Sequence, residues 1–175
     1  MIEENYKKRL NNITTFIFDV DGVLTDGKLL ISPNGEMLRL MNAKDGFAIK
    51  FAIDNQYKVI IISGGTDESV KNRLKSLGIT DIYFDSHNKK KSYEHILDKY
   101  SLSPNEILYM GDDLPDIPVM NSVGIGTCPQ DAAVDVKKIA DYISHKDGGM
   151  GCVREIIEQV LRVQNKWTYL DKFKE

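Results

Sequence analysis

Apolar residues along this chain gather into short runs separated by polar, amphipathic stretches. The four clearest runs are Ile13–Val20 (ITTFIFDV), Tyr57–Ser63 (YKVIIIS), Ile79–Phe84 (ITDIYF) and Glu106–Gly111 (EILYMG). Each is too short for a buried helix, is rich in β-branched or aromatic residues, and ends near Gly, Asp or Ser, which predicts strands. Shorter runs at Val123–Ile125 and Tyr142–Ile143 predict a fifth and a sixth. Between them, Gly46–Asn55, Asp67–Gly78 and Lys90–Tyr100 repeat apolar residues every three or four positions, as helices do, and Cys152–Gln164 adds a last helix. Thr66 or Asp67 can cap the second helix and Gly78 can end it. Strands alternating with helices imply a mainly parallel sheet covered on both faces, a three-layer Rossmann-like α/β fold. The 175 residues suit a single domain spanning 1–175.

Two pieces break the alternation. Lys28–Asn42 places apolar runs on either side of Pro33-Asn34-Gly35, a hairpin signal that predicts a small flap over residues 27–42 or so. After the last helix, a tail over about residues 165–175 carries Trp167, Tyr169 and Phe173 with no evident core of its own.

Composition narrows the class without naming it. The chain is 42% hydrophobic and 28% charged with a net charge of −3, acidic and basic residues interspersed, so it has no basic face for nucleic acid. Cys128 and Cys152 lack metal-like spacing and read as reduced thiols. The N-terminus has no apolar leader core and no run reaches the ~18–20 residues of a membrane span. A soluble, cytoplasmic protein is expected.

Chemistry enters at the strand ends, where ligands bind in doubly wound sheets. Asp19 and Asp21 follow the first strand, Ser63 and Gly64-Gly65 the second, and Lys89 lies shortly after the third. Asp112, Asp113 and Asp116 follow the fourth. Clustered carboxylates repel unless a cation sits among them, and an all-oxygen site suits Mg²⁺. Ser63, the Gly64 amide and Lys89 are the donors a phosphoryl group needs. A carboxylate nucleophile and a second carboxylate as acid and base complete a phosphoryl-transfer site. By contrast, Asp54, Asp81, Asp98 and Asp141 read as surface or capping residues and Lys90 and Lys91 as a solvated face. His87, His95 and His145 are isolated in sequence, a poor basis for a metal site.

At these residues the chain resembles the haloacid dehalogenase superfamily of phosphatases. FIFDVDGVLTDG, IIISGG, HNKKK and MGDDLPD look like its four motifs, over roughly Ile13 to Gln164. The resemblance implies Asp19 as nucleophile and metal ligand, and Asp21 as general acid/base and metal ligand through its carbonyl. It implies Ser63 and Lys89 on the phosphoryl group, Asp112 completing the metal site, and Asp113 and Asp116 as supports. The presence of Asp21 argues against the metal-free dehalogenase branch.

DGVLTDG, the short hairpin in place of a cap, NAKDG (Asn42–Gly46) and GGMGCVREII look like the cap-less branch. That branch includes the phosphatases of 3-deoxy-D-manno-octulosonate 8-phosphate (KDO 8-phosphate) in lipopolysaccharide synthesis. The resemblance implies a sugar-acid phosphate substrate, with Asn42 and Lys44 among the binding residues. It also implies a homotetramer in which hairpin and tail of neighbouring subunits cover each active site. Many members carry an arginine where this chain has Gly65, and another where it has Met150. Lys44 and Arg154 are the candidate replacements. The alternatives are a phosphatase of a nine-carbon 2-keto-3-deoxynononate 9-phosphate, which Gly65 and Met150 disfavour, and a non-catalytic oligomerisation module of the same fold.

Overall fold

The computed structural model describes residues 5–168; Tyr169 and Phe173 of the tail lie outside them. In chain order the elements are α1 (Tyr6–Arg9), β1 (Thr15–Phe18), β2 (Leu30–Ile31), β3 (Met37–Leu38), α2 (Ala43–Asp54) and β4 (Lys58–Ile62). Then come α3 (Glu68–Ser76), β5 (Asp81–Tyr83), α4 (Lys89–Tyr100), β6 (Ile107–Met110), α5 (Ile117–Met120), β7 (Ile125–Cys128), α6 (Val134–Ile139), β8 (Tyr142–Ile143) and α7 (Cys152–Val163). Six strands form one parallel sheet in the order β5-β4-β1-β6-β7-β8, while β2 and β3 pair antiparallel on their own.

The runs are apolar at nearly every central position because both sheet faces are covered. Alternate residues serve opposite cores: Phe16, Phe18, Val59, Ile61, Leu108 and Met110 pack with α2, α3 and α7. Ile17, Ile60, Ile62, Ile107 and Tyr109 pack with α4, α5 and α6 on the other side. The two-residue period of a strand thus supplies two cores from one run. The central position of β1 in this order puts the ends of β1, β4 and β6 side by side, at the switch point of the topology.

Four expectations need adjusting. The fifth strand runs Ile125–Cys128 instead of Val123–Ile125, because the Gly124 amide is spent outside the sheet, on the Pro104 carbonyl. Helix α2 begins at Ala43, three residues before Gly46, because the Asn42 side chain caps it by accepting from the Lys44 amide. The helices α1, α5 and α6 are four to six residues long, too short for a periodicity to register. Trp167 has a core after all: its ring meets Phe51 edge-on at 5.0 Å, and the guanidinium groups of Arg154 and Arg162 lie over it.

The NAKDG and GGMG segments turn out to be two halves of one clamp. Gly151, at the N-cap of helix α7, has no side chain to cap it, and Asp45 does so from α2, accepting from the Arg154 amide at 2.7 Å. The Asn42 amide donates to the Gly149 carbonyl at 3.1 Å. Burial of Asp45, opposed by the backbone amides of Arg154 and Gly151, pushes its carboxyl up to about 6. The folded state therefore takes up a proton on Asp45 between its ordinary pKa and about 6. Its contribution to stability falls as pH rises through that window, by about 3 kcal/mol. Asp45→Asn, which keeps the acceptor and removes the charge, should gain on wild type in unfolding free energy as pH is raised from 4 to 7. Parallel pH curves for the two proteins in urea titrations would contradict this assignment.

Candidate active site

The loop after β1 is built by the same apolar code as the strand. Val20, Val23 and Leu24 are buried, and the amides of Val23, Leu24 and Thr25 all return to the Val20 carbonyl. That tight loop leaves Asp19 and Asp21 at the mouth of the sheet. Two glycines make close approaches here. At Gly22, with φ +85°, a Cβ would lie 2.0 Å from Asp112 Oδ2. At Gly148 a Cβ would lie 2.0 Å from the Gly22 carbonyl oxygen, and the next amide, Gly149, donates to Val23. The GGMG segment therefore braces the nucleophile loop from behind.

A cleft of about 520 Å³ opens at these strand ends, lined by Asp19, Asp21, Ser63, Gly64, Lys89 and Asp112, with Gly65, His87 and Asp116 among its other walls. The structure thus brings together the six residues that sequence placed at phosphate and metal. Lys89, the first residue of α4, is buried and sits 2.7 Å from Asp19 Oδ2 and 2.6 Å from Asp116 Oδ1. The other Asp19 oxygen accepts from the Val20 amide at 2.7 Å, so the carboxylate has one orientation. Ser63 Oγ accepts from the Gly65 amide at 3.1 Å, which turns this loop toward the cleft.

Electrostatics define what the cleft can take up. Burial, then the charge of Asp116, raises the Asp19 carboxyl against the pull of Lys89. Burial, then Asp19 and Asp116, pushes Asp112 up to about 8. Burial alone would lower the Lys89 ammonium, but Asp19 and Asp116 hold it above its ordinary value. One lysine cannot neutralise three carboxylates.

Among the described residues, Asp19, Asp112 and Asp116 offer oxygens within 4.8 Å of one another. Asp116 is already spent: Oδ1 accepts from Lys89 and from Tyr109 Oη at 2.5 Å, and Oδ2 accepts from the amides of Asp112 and Asp113. The oxygens of Asp19 and Asp112 therefore fit a hard, oxygen-seeking divalent cation, and Asp116 holds their surroundings in place. Asp113 caps the turn Leu114–Asp116 by accepting from the Leu114 amide.

Three sequence candidates lie elsewhere. Asn42 uses both ends of its amide in the clamp, and Lys44 stands exposed on the first turn of α2. Arg154 lies over Phe47 and Trp167 and pairs with Glu158. Within one chain none of them lines the cleft. The sequence pattern does not single out two groups that contact site carboxylates, Arg39 and Tyr109, or His87 at the cleft wall. Arg39 comes from the hairpin end and grips Asp21 with two hydrogen bonds of 2.7 and 3.0 Å. Tyr109 passed as an ordinary core aromatic, and His87 stands exposed at the cleft edge, paired with Asp85.

This fold and this site define a haloacid dehalogenase-like hydrolase, and residues 78–156 match the family model of that description. Over 158 residues the chain is 39% identical to the 3-deoxy-D-manno-octulosonate 8-phosphate phosphatase KdsC of Salmonella typhi, covering 90% of this chain and 84% of the relative. The chain belongs to the family of KDO 8-phosphate phosphatases. The crystal structure of the Yersinia pestis phosphatase matches with a TM-score of 0.92 at 34% identity, covering 95% of this chain and 90% of that one. A Moraxella catarrhalis phosphatase, solved with magnesium, phosphate and KDO, matches with a TM-score of 0.92 at 28% identity, covering 96% and 97%.

If Gly22 exists to admit Asp112, Gly22→Ala should weaken Mg²⁺ binding by about tenfold or more in calorimetric titration, as Asp112→Asn should. Unchanged affinity in both variants would remove Asp112 from the metal site.

Proposed function

We propose that the chain hydrolyses KDO 8-phosphate to KDO and phosphate through an aspartyl-phosphate on Asp19, as a step of lipopolysaccharide biosynthesis. The observation that carries the proposal is the Lys89 ammonium held between Asp19 and Asp116 in a cleft that also presents Ser63 and Asp112. Its support beyond geometry is family membership.

Asp19 attacks phosphorus and the bond to the sugar oxygen breaks, while Asp21 gives that oxygen a proton. Asp21 then takes a proton from water, which attacks phosphorus and returns Asp19 as a carboxylate. Ser63 Oγ, the Gly64 amide and Lys89 hold the phosphoryl oxygens in line. The carboxylates of Asp19 and Asp112 and the carbonyl of Asp21 would hold Mg²⁺, which when bound draws charge from the phosphoryl oxygens.

The chain works as one domain with residues 27–42 as its flap, in a homotetramer whose subunits cover one another's sites. Support for that assembly is the hairpin surface: Leu30, Ile31, Met37 and Leu38 on strands of two residues each, and Leu29 and Leu40 beside them, are all exposed. No helix among the described residues is long and apolar enough to cross a membrane. The two buried free cysteines suit a reducing cytoplasm.

Phosphate release from KDO 8-phosphate should require Mg²⁺, stop with EDTA, and fall by about 10³-fold or more in Asp19→Asn. A tenfold preference for the nine-carbon 2-keto-3-deoxynononate 9-phosphate, about 1.4 kcal/mol, would transfer the assignment to that substrate. Wild-type rates in Asp19→Asn would refute Asp19 as the nucleophile, and no phosphate release by the wild type would favour a non-catalytic module. Sedimentation at a monomer's mass would refute the tetramer.

A further inference from the structure

The acid/base residue of this cleft is not free. Both oxygens of Asp21 accept from one guanidinium: Arg39 Nε donates to Oδ1 at 2.7 Å and Nη2 to Oδ2 at 3.0 Å. The third nitrogen, Nη1, donates to Asp67 Oδ2 at 3.2 Å and to the Met37 carbonyl at 3.1 Å. Arg39 thus joins the hairpin, the acid/base residue and the N-terminus of α3, and its side chain is only 7% exposed although it comes from a flap. A bidentate pair of this kind is strong and directional.

The geometry separates the two Asp21 oxygens. Oδ1 faces inward, 3.5 Å from Thr25 Oγ1, and receives the shorter arm. Oδ2 faces the phosphate loop: a Cβ on Gly65 would sit 3.8 Å from it, 3.9 Å from Arg39 Nη2 and 3.5 Å from Ser63 Oγ. Position 65 is therefore within ordinary contact distance of this pair.

We propose that Arg39 is the positioning residue for Asp21. Nε fixes Oδ1 throughout, while the Nη2 arm is exchanged for the arriving substrate anion. That exchange leaves Oδ2 as the oxygen that passes the proton to the leaving group. The contacts of Nη1 to Asp67 and Met37 keep the guanidinium in place during the exchange. The hairpin therefore reaches the chemistry of its own subunit. This inference rests on the assignment of Asp21 as acid/base.

The test exploits the leaving group. A sugar alkoxide needs a proton to depart, whereas p-nitrophenolate does not. Arg39→Met and Arg39→Lys are compared with wild type on KDO 8-phosphate, on a neutral sugar phosphate and on p-nitrophenyl phosphate, with Mg²⁺ present. In Arg39→Met, kcat/KM for both sugar phosphates should fall by about 10²-fold, with kcat falling too, and for p-nitrophenyl phosphate by less than about fivefold. Arg39→Lys, which keeps one donor, should recover part of the loss. In an Asp21→Asn background, Arg39→Met should cost little more.

An equal fall on all three esters would make Arg39 a structural tether only. A rise in KM confined to KDO 8-phosphate, with kcat and the neutral ester unchanged, would make it an anion-binding residue. Either outcome overturns the proposal. If wild type released phosphate from none of the esters, the phosphatase reading itself would fail, a result distinct from both. Should Arg39→Met not fold, Arg39→Lys carries the same comparison.

Discussion

The site depends on one buried ammonium. Lys89 touches Asp19 and Asp116, and without it three carboxylates, two of them buried, would stand within a few ångströms of each other with no cation of the chain among them. Removing one member of such a buried charge set costs about 3–5 kcal/mol in typical cases. Much of the surrounding architecture serves this contact. Asn88 caps α4 so that its first residue points into the cleft, Tyr109 and two backbone amides saturate Asp116, and the Val20 amide fixes Asp19. The residual negative charge, expressed in the raised carboxyls of Asp19 and Asp112, is what a divalent cation would neutralise.

The same economy runs outward from the nucleophile loop. Asp112 can lie against it because residue 22 is glycine, and the Gly148-Gly149 turn can brace it because neither residue has a side chain. That turn is held in its place by Asn42 and by the Asp45 cap on α7. A chain of backbone contacts therefore links the two helices behind the sheet to the orientation of Asp19. The hairpin, with almost no core of its own, is joined to the site by a charge contact from Arg39.

Much of this was legible in the sequence, for stated physical reasons. Strands that feed two cores are apolar at nearly every position, so β1, β4 and β6 stand out, and residues just past their ends mark the cleft. Asp19, Asp21, Ser63, Gly64, Lys89 and Asp112 were found that way and by family resemblance, and they do converge. What escaped was long-range or short-lived in sequence. The Arg39–Asp21 pair spans 18 residues across a hairpin, and nothing local distinguishes Arg39 from a surface arginine. Tyr109 is hidden in an apolar run, its hydroxyl aimed at Asp116. The strand β7 contains Gly126, which weakens its propensity signal, so its edge was placed too early. For Asn42 and Lys44, a motif does not say whether a polar group meets a ligand or a backbone. Here the Asn42 side chain meets backbone.

The most direct test of the account is to trap the covalent intermediate. Wild-type protein turning over KDO 8-phosphate with Mg²⁺ is quenched in acid, digested and mapped by mass spectrometry, with and without hydroxylamine. The account predicts a hydroxylamine-labile phosphoryl group on the peptide containing Asp19, absent in Asp19→Asn. A phosphoryl group on another residue, or rapid turnover with none trapped at any quench time, would contradict it.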